Sequence, residues 1–83
     1  MLRDENIASM RVLLIEERPG FAALVSALLE DAAPAEFRVE VAPTADAAVD
    51  RLLGEGVDCV LLDGVTTLAR VQAAALERPV VVL

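Results

Sequence analysis

Three carboxylates that follow two apolar segments are the residues best suited to chemistry. Glu16 and Glu17 come directly after the apolar run at residues 12–15, and Asp63 follows the run at residues 57–62. If these runs are neighbouring strands, the three side chains meet, and such oxygen ligands suit Mg²⁺ better than Zn²⁺. Bound Mg²⁺ would orient a phosphoryl donor, and Asp63 would be the nucleophile that forms an acyl phosphate. The alternative is that all three are solvated side chains at strand ends.

The amino-acid composition excludes several other catalytic mechanisms and kinds of partner. The 83 residues include no His and no Lys, and seven Arg against fourteen acidic residues leave a formal charge of −7. Without His, imidazole general bases and Ser–His or Cys–His pairs are excluded. The acidic balance argues against nucleic acid and against an anionic membrane surface as partners. A single cysteine, Cys59, excludes an internal disulfide and a multi-cysteine metal site, and we interpret it as a buried structural thiol.

No basic leader followed by an apolar stretch opens the chain, and no apolar run approaches the length of a membrane span. We therefore expect a cytoplasmic protein. Residues 1–9 are polar and without period, which predicts a flexible N-terminal extension before one domain at residues 10–83.

Alternating strand and helix patterns would position the carboxylates. Apolar runs predict strands at residues 11–15, 37–41, 57–62 and 80–83, the second with only one buried face and therefore at an edge. Apolar spacings of three and four predict three helices between them, with Thr44 as the N-cap of the second and Thr66 or Thr67 capping the third. The predicted core-facing stripes are Phe21, Leu24, Val25, Leu28 and Leu29; Ala45, Ala48, Val49, Leu52 and Leu53; and Leu68, Val71, Ala75 and Leu76.

This β-α-β-α-β-α-β order predicts a three-layer α/β/α fold with a parallel sheet. The last strand is wholly apolar, as interior strands are, yet no further strand follows it. We expect either a piece of a longer domain, which we favour, or an edge completed by a second copy of the chain.

Four segments resemble response-regulator receiver domains, which are flavodoxin-like. Residues 12–19 (VLLIEERP) resemble their first strand and acidic pair, and residues 59–63 (CVLLD) resemble the third strand with its phospho-accepting Asp. Residues 41–48 (VAPTADAA) are similar to the second-strand exit and second helix, and residues 79–83 (PVVVL) to the fourth strand. The resemblance covers residues 10–83 and implies strand order 2-1-3-4 with the fifth strand missing.

The resemblance implies the phosphoacceptor module of a bacterial two-component or phosphorelay protein, not an enzyme. Asp63 would accept the phosphoryl group, Glu17 would bind Mg²⁺ directly, and Glu16 would act through water. A histidine kinase or phosphotransfer protein would be the donor, and an output domain would follow Leu83.

Several residues depart from the receiver pattern. Glu17 stands where the family has Asp, the connection after Asp63 is short and lacks the usual Pro, and the phosphate-binding Lys is absent. These changes weaken the expected Mg²⁺ site, because Mg²⁺ demands near-ideal octahedral geometry. Arg18 is either paired with Glu16 or Glu17, in competition with a cation, or solvated.

Two other hypotheses follow from these departures. One is a degenerate receiver, or pseudo-receiver, that docks another chain without phosphorylation. The other is homo-oligomerisation through the edge of the fourth strand.

Overall fold

The computed structural model describes residues 10–32 and 36–83, which form strands and helices in strict alternation. The predicted three-layer α/β fold is confirmed, whereas the predicted N-terminal extension at residues 1–9 lies outside the described residues. The strands are β1 (Met10–Ile15), β2 (Phe37–Ala42), β3 (Cys59–Leu62) and β4 (Val80–Val82), and the helices are α1 (Pro19–Ala32), α2 (Ala45–Leu52) and α3 (Leu68–Ala75).

The four strands form one parallel sheet in the predicted order, β2-β1-β3-β4. The strictly alternating second strand lies at an edge, as its pattern indicated. Ile15 at the end of β1 lies beside Ala42 of β2 and Leu62 of β3. The three strands therefore end at the same level, and the residues that follow them share one edge of the sheet.

The main core lies between the sheet and helices α2 and α3. Side chains alternate between the two faces of a strand, so every second residue of β1 and β3 points toward these helices. The buried residues of this core are Leu13, Ile15, Ala42, Ala48, Leu52, Val57, Val60, Leu62, Val71 and Ala75.

Helix α1 covers the opposite face with only part of the predicted stripe, since Val25 and Leu29 are half-buried. Its buried residue is Ala22, whereas Phe21, Leu24 and Leu28 are 36%, 54% and 61% exposed. The prediction for those three residues is wrong because apolar side chains surround most of this helix. Periodicity alone could not identify the buried face of this helix. That face is rotated from the predicted one by about one residue, or 100°.

The ends of the two shorter helices test the capping predictions. Thr44 is the N-cap of α2, and its Oγ1 accepts a hydrogen bond from the Ala47 N–H at 3.0 Å, as predicted. Thr67 is the N-cap residue of α3, as predicted, but its side chain makes no capping hydrogen bond. Leu53 and Leu76 lie just past the helix ends and are exposed, so they do not belong to the predicted core stripes.

Candidate functional site

Two of the three predicted carboxylates meet at the carboxyl edge of the sheet. Glu16 follows the last residue of β1 and Asp63 follows the last residue of β3. The Asp63 N–H donates to the Ile15 carbonyl at 3.4 Å, which extends the pairing of the two strands by one residue. The strand order thus places Glu16 and Asp63 together, as the sequence predicted.

Arg18 lies between these two carboxylates. Its Nη2 donates to Asp63 Oδ2 at 2.6 Å and to Glu16 Oε1 at 3.2 Å. Its Nε and its backbone N–H both donate to Glu16 Oε2, at 2.9 and 2.8 Å. Both oxygens of Glu16 are therefore engaged by one arginine.

The three side chains differ in their access to solvent. The Glu16 side chain is only 3% exposed, whereas Asp63 is 31% and Arg18 is 63% exposed. The Arg18 guanidinium also lies over the Phe21 ring, 4.4 Å from its centroid, in a cation–π contact. Glu16 is thus buried, Arg18 covers it from the solvent side, and Asp63 is accessible to solvent.

The electrostatics of the cluster follow from these contacts. Hydrogen bonds from the side chain and backbone of Arg18 lower the pKa of Glu16 to about 2, although burial opposes the shift. Glu16 in turn raises the pKa of the Arg18 guanidinium, chiefly through the same hydrogen bonds. Glu16 is therefore a permanent anion near neutral pH, paired with a permanent cation.

Glu17, the third predicted carboxylate, does not join the pair. Its side chain is exposed, and it forms no hydrogen bond or ion pair with any residue that the structure describes. It lines the cavity beside the cluster instead. Because Glu17 follows Glu16 in the sequence, it lies at the carboxyl edge of the sheet, but its side chain does not belong to the cluster.

A cavity of about 280 Å³ adjoins the cluster at the carboxyl edge of the sheet. Its walls come from the ends of β1 and β3 and from the segments that lead into α2 and α3. Besides the charged residues, its lining includes Pro43, Thr44, Thr66 and Thr67. Asp63 faces a space large enough for a small phosphorylated group.

With Arg18 in this position, the carboxylates do not fit a Mg²⁺ ion. Within residues 10–32 and 36–83, no group of three or more His, Cys, Asp or Glu side chains is arranged to hold a metal. Mg²⁺ needs carboxylate oxygens at close range, and Arg18 already occupies both oxygens of Glu16 and one of Asp63. The Mg²⁺ site stays a prediction that requires rearrangement of Arg18.

Sequence reasoning identified the pairing of Arg18 with Glu16 as one alternative but missed its bond to Asp63. The available signal was the spacing of two residues between Glu16 and Arg18. An arginine at that distance can return to the carboxylate with both its backbone N–H and its side chain. Its reach to Asp63, 45 residues later, depends on the sheet.

Comparison of the chain with protein-family models, with curated proteins and with solved structures gave no match. Among the helices that the structure describes, none is long and apolar enough to cross a membrane. A function for the chain therefore has to be argued from the geometry of this site.

Proposed function

We propose that the chain is a receiver-like phosphoacceptor module of a cytoplasmic two-component or phosphorelay system. The observation that carries this proposal is the meeting of Glu16 and Asp63 at the ends of β1 and β3, beside a cavity. Open parallel sheets bind ligands beyond the carboxyl ends of their strands, which is where these side chains lie. The resemblance of residues 10–83 to receiver domains supports the same role.

The proposed chemistry uses Asp63 as nucleophile. An oxygen of its carboxylate attacks the phosphorus of a phosphohistidine on a kinase or phosphotransfer protein. The P–O bond forms as the P–N bond breaks, and the electron pair leaves with the imidazole nitrogen. The product is an acyl phosphate on Asp63, so the module accepts the group and is not an enzyme.

Arg18 supplies the positive charge nearest to the reacting atoms. Its guanidinium donates to Asp63 Oδ2, so the phosphoryl oxygens would arrive beside an existing cation. Guanidinium groups bind phosphate oxygens well because their donors are fixed in a planar fork. No step of this chemistry is derived through Mg²⁺, because the carboxylates as arranged do not fit it.

The test is intact mass after incubation with acetyl phosphate. Attack by Asp63 would release acetate and add one phosphoryl group to the wild-type chain. Asp63→Asn should stay unmodified, whereas Asp50→Asn, an exposed acid of α2, should be modified like the wild type. Equal modification of Asp63→Asn and wild type, or no modification of either by acetyl phosphate or a phosphohistidine donor, would refute the proposal.

A second candidate is a pseudo-receiver that self-associates through β4. The two edges of the sheet are protected differently. At the β2 edge, the Val39 N–H donates to the Glu30 carboxylate of α1 at 3.1 Å, and charged residues alternate along the strand. Along β4, no side chain in the described residues bonds the backbone, and residues 80–83 are apolar and partly or largely exposed.

A second copy is the partner that suits this edge. Leu83 N–H donates inward to Leu62, and parallel ladder donors alternate, so the Val82 N–H points outward. Two β4 edges related by a two-fold axis would pair antiparallel, and residues 80–83 bring no charged side chain into that contact. This arrangement would join two four-stranded sheets into one.

Self-association is tested by molar mass from sedimentation or light scattering over a range of concentrations. Val82→Pro removes the outward donor and should yield a monomer. Val82→Ala keeps the donor and serves as the matched control. A wild-type mass that stays monomeric at every concentration would remove this candidate.

A further inference from the structure

The Arg18 guanidinium occupies the position that a cation bound by Glu16 and Asp63 would need. Four hydrogen bonds join Arg18 to the two carboxylates, and one nitrogen, Nη2, contacts both. A guanidinium that bridges two carboxylates offsets one of their two negative charges through charge-assisted hydrogen bonds, where a divalent metal ion would offset both through coordination bonds.

Local structure holds Arg18 in this position. The backbone N–H and the Nε group donate to the same Glu16 oxygen, so both the backbone and the side chain of Arg18 are tied to that carboxylate. Pro19 follows as the first residue of α1, and its ring fixes the backbone φ at the start of the helix. The Phe21 ring, on the first turn of α1, lies against the guanidinium. The first turn of α1 therefore helps to hold Arg18 in its ion pairs with Glu16 and Asp63.

A divalent cation would have to displace this guanidinium. Mg²⁺ requires oxygen ligands at short range, and Arg18 holds three of the four oxygens of the two carboxylates. The positive charge of the guanidinium would also repel the approaching ion. Because the Arg18 side chain is 63% exposed, solvent is available to receive it when it leaves.

We infer that Arg18 is the resident cation of this acidic site: it holds Glu16 and Asp63 together and competes with divalent cations for them. The inference rests on the proposed function for the role of Asp63 as acceptor. Cation binding itself is measured without any phosphoryl donor, so the two ideas are tested separately.

The experiment is a calorimetric titration of Mg²⁺ into the full chain at neutral pH. Arg18→Gln removes the charge and keeps a side chain of polar character, and it should bind Mg²⁺ at least roughly tenfold tighter than the wild type, which is about 1.4 kcal/mol. Arg70→Gln removes another exposed arginine, paired with Asp46 on the helical face, and should bind as the wild type does. The two variants change net charge equally, so the comparison isolates the position of the guanidinium.

Circular dichroism checks that each variant folds, and Arg18→Lys is a second variant that still gives a test if Arg18→Gln does not fold. Lysine keeps the charge but lacks the fork, so Arg18→Lys should bind Mg²⁺ more tightly than the wild type and less tightly than a folded Arg18→Gln. Equal Mg²⁺ affinity of the wild type and the folded Arg18 variants, or no measurable binding by any of them, would overturn the inference.

Acetyl phosphate treatment of the same proteins separates the two proposals. A gain in Mg²⁺ affinity without modification of Asp63 would refute the phosphoacceptor function and leave Arg18 as the resident cation. Modification of Asp63 with unchanged Mg²⁺ affinity would refute only the role of Arg18.

Discussion

Glu16 is a charged residue whose side chain is almost completely removed from water. An isolated buried carboxylate would be strongly unfavourable, and here hydrogen bonds from Arg18 to both of its oxygens offset the loss of hydration. Removing the arginine would leave an uncompensated buried anion. Arg18 is therefore as much a part of the fold as of the candidate site.

This pair predicts how stability depends on pH. The pKa of Glu16 is lowered from 4.5 to about 2, so its stabilising effect is complete above 4.5 and is lost as pH falls toward 2. Arg18→Gln should be less stable than the wild type at pH 7, and the difference should shrink across that acidic window. Urea unfolding followed by circular dichroism at several pH values measures it. A difference that stays constant from pH 7 to pH 3 would contradict the assignment.

How far the site could be predicted depends on the range of each contact. The position of Glu16 and Asp63 at strand ends was evident from apolar runs that stop at an acid. The pairing of Arg18 with Glu16 joins residues two positions apart, and the sequence offered it beside pairing with Glu17 and a solvated arginine. Its bond to Asp63 could not be read from the sequence, because it exists only once β1 and β3 are neighbours.

At the scale of the elements, short helices were predicted more accurately than the long one. Helix α2 has one buried stripe and a polar remainder, so periodicity identified Ala48 and Leu52 as core residues. Helix α1 is apolar around most of its circumference, so the same rule chose a face that is offset by about one residue from the buried one. The face is set by packing on the sheet, which the helix pattern does not encode.

The two threonines before α2 and α3 give an internal comparison of capping. Thr44 accepts a hydrogen bond from the Ala47 N–H, whereas Thr67 makes no such bond. Thr44→Ala should lower the free energy of unfolding by about 1 kcal/mol, and Thr67→Ala should change it by much less. Thermal and urea unfolding of both variants measure the difference. Equal losses would show that the Thr44 bond does not stabilise α2.

At the scale of the whole molecule, the strand order was predictable because alternating elements permit few arrangements of a parallel sheet. The distribution of exposed apolar surface was less predictable from the sequence. The face under α2 and α3 is closed by two helices, whereas α1 alone covers the other face. Large apolar residues are exposed along α1 and at the end of β4 as well as elsewhere on the described surface: Phe21, Leu24 and Leu28; Val81, Val82 and Leu83; and Met10, Val41, Leu53, Val65 and Leu76.

The exposed apolar residues at the end of β4 and the net charge of −7 have opposite effects on self-association. Apolar contact along β4 would favour a dimer, while two chains of like charge repel each other. Raising the salt concentration from about 10 mM to about 150 mM shortens the range of that repulsion from about 30 Å to about 8 Å. Association through β4 should therefore strengthen with salt in the wild type, and Val82→Pro should remain monomeric at both concentrations.

Sedimentation at matched protein concentrations in the two salts measures the effect. A wild-type dimer that weakens with added salt would show that ion pairs hold the copies together, since screening reduces attraction between opposite charges as well as repulsion between like ones. Because residues 80–83 carry no charged side chain, that result would place the contact away from the β4 edge. Salt dependence thus locates the contact independently of the proline variant.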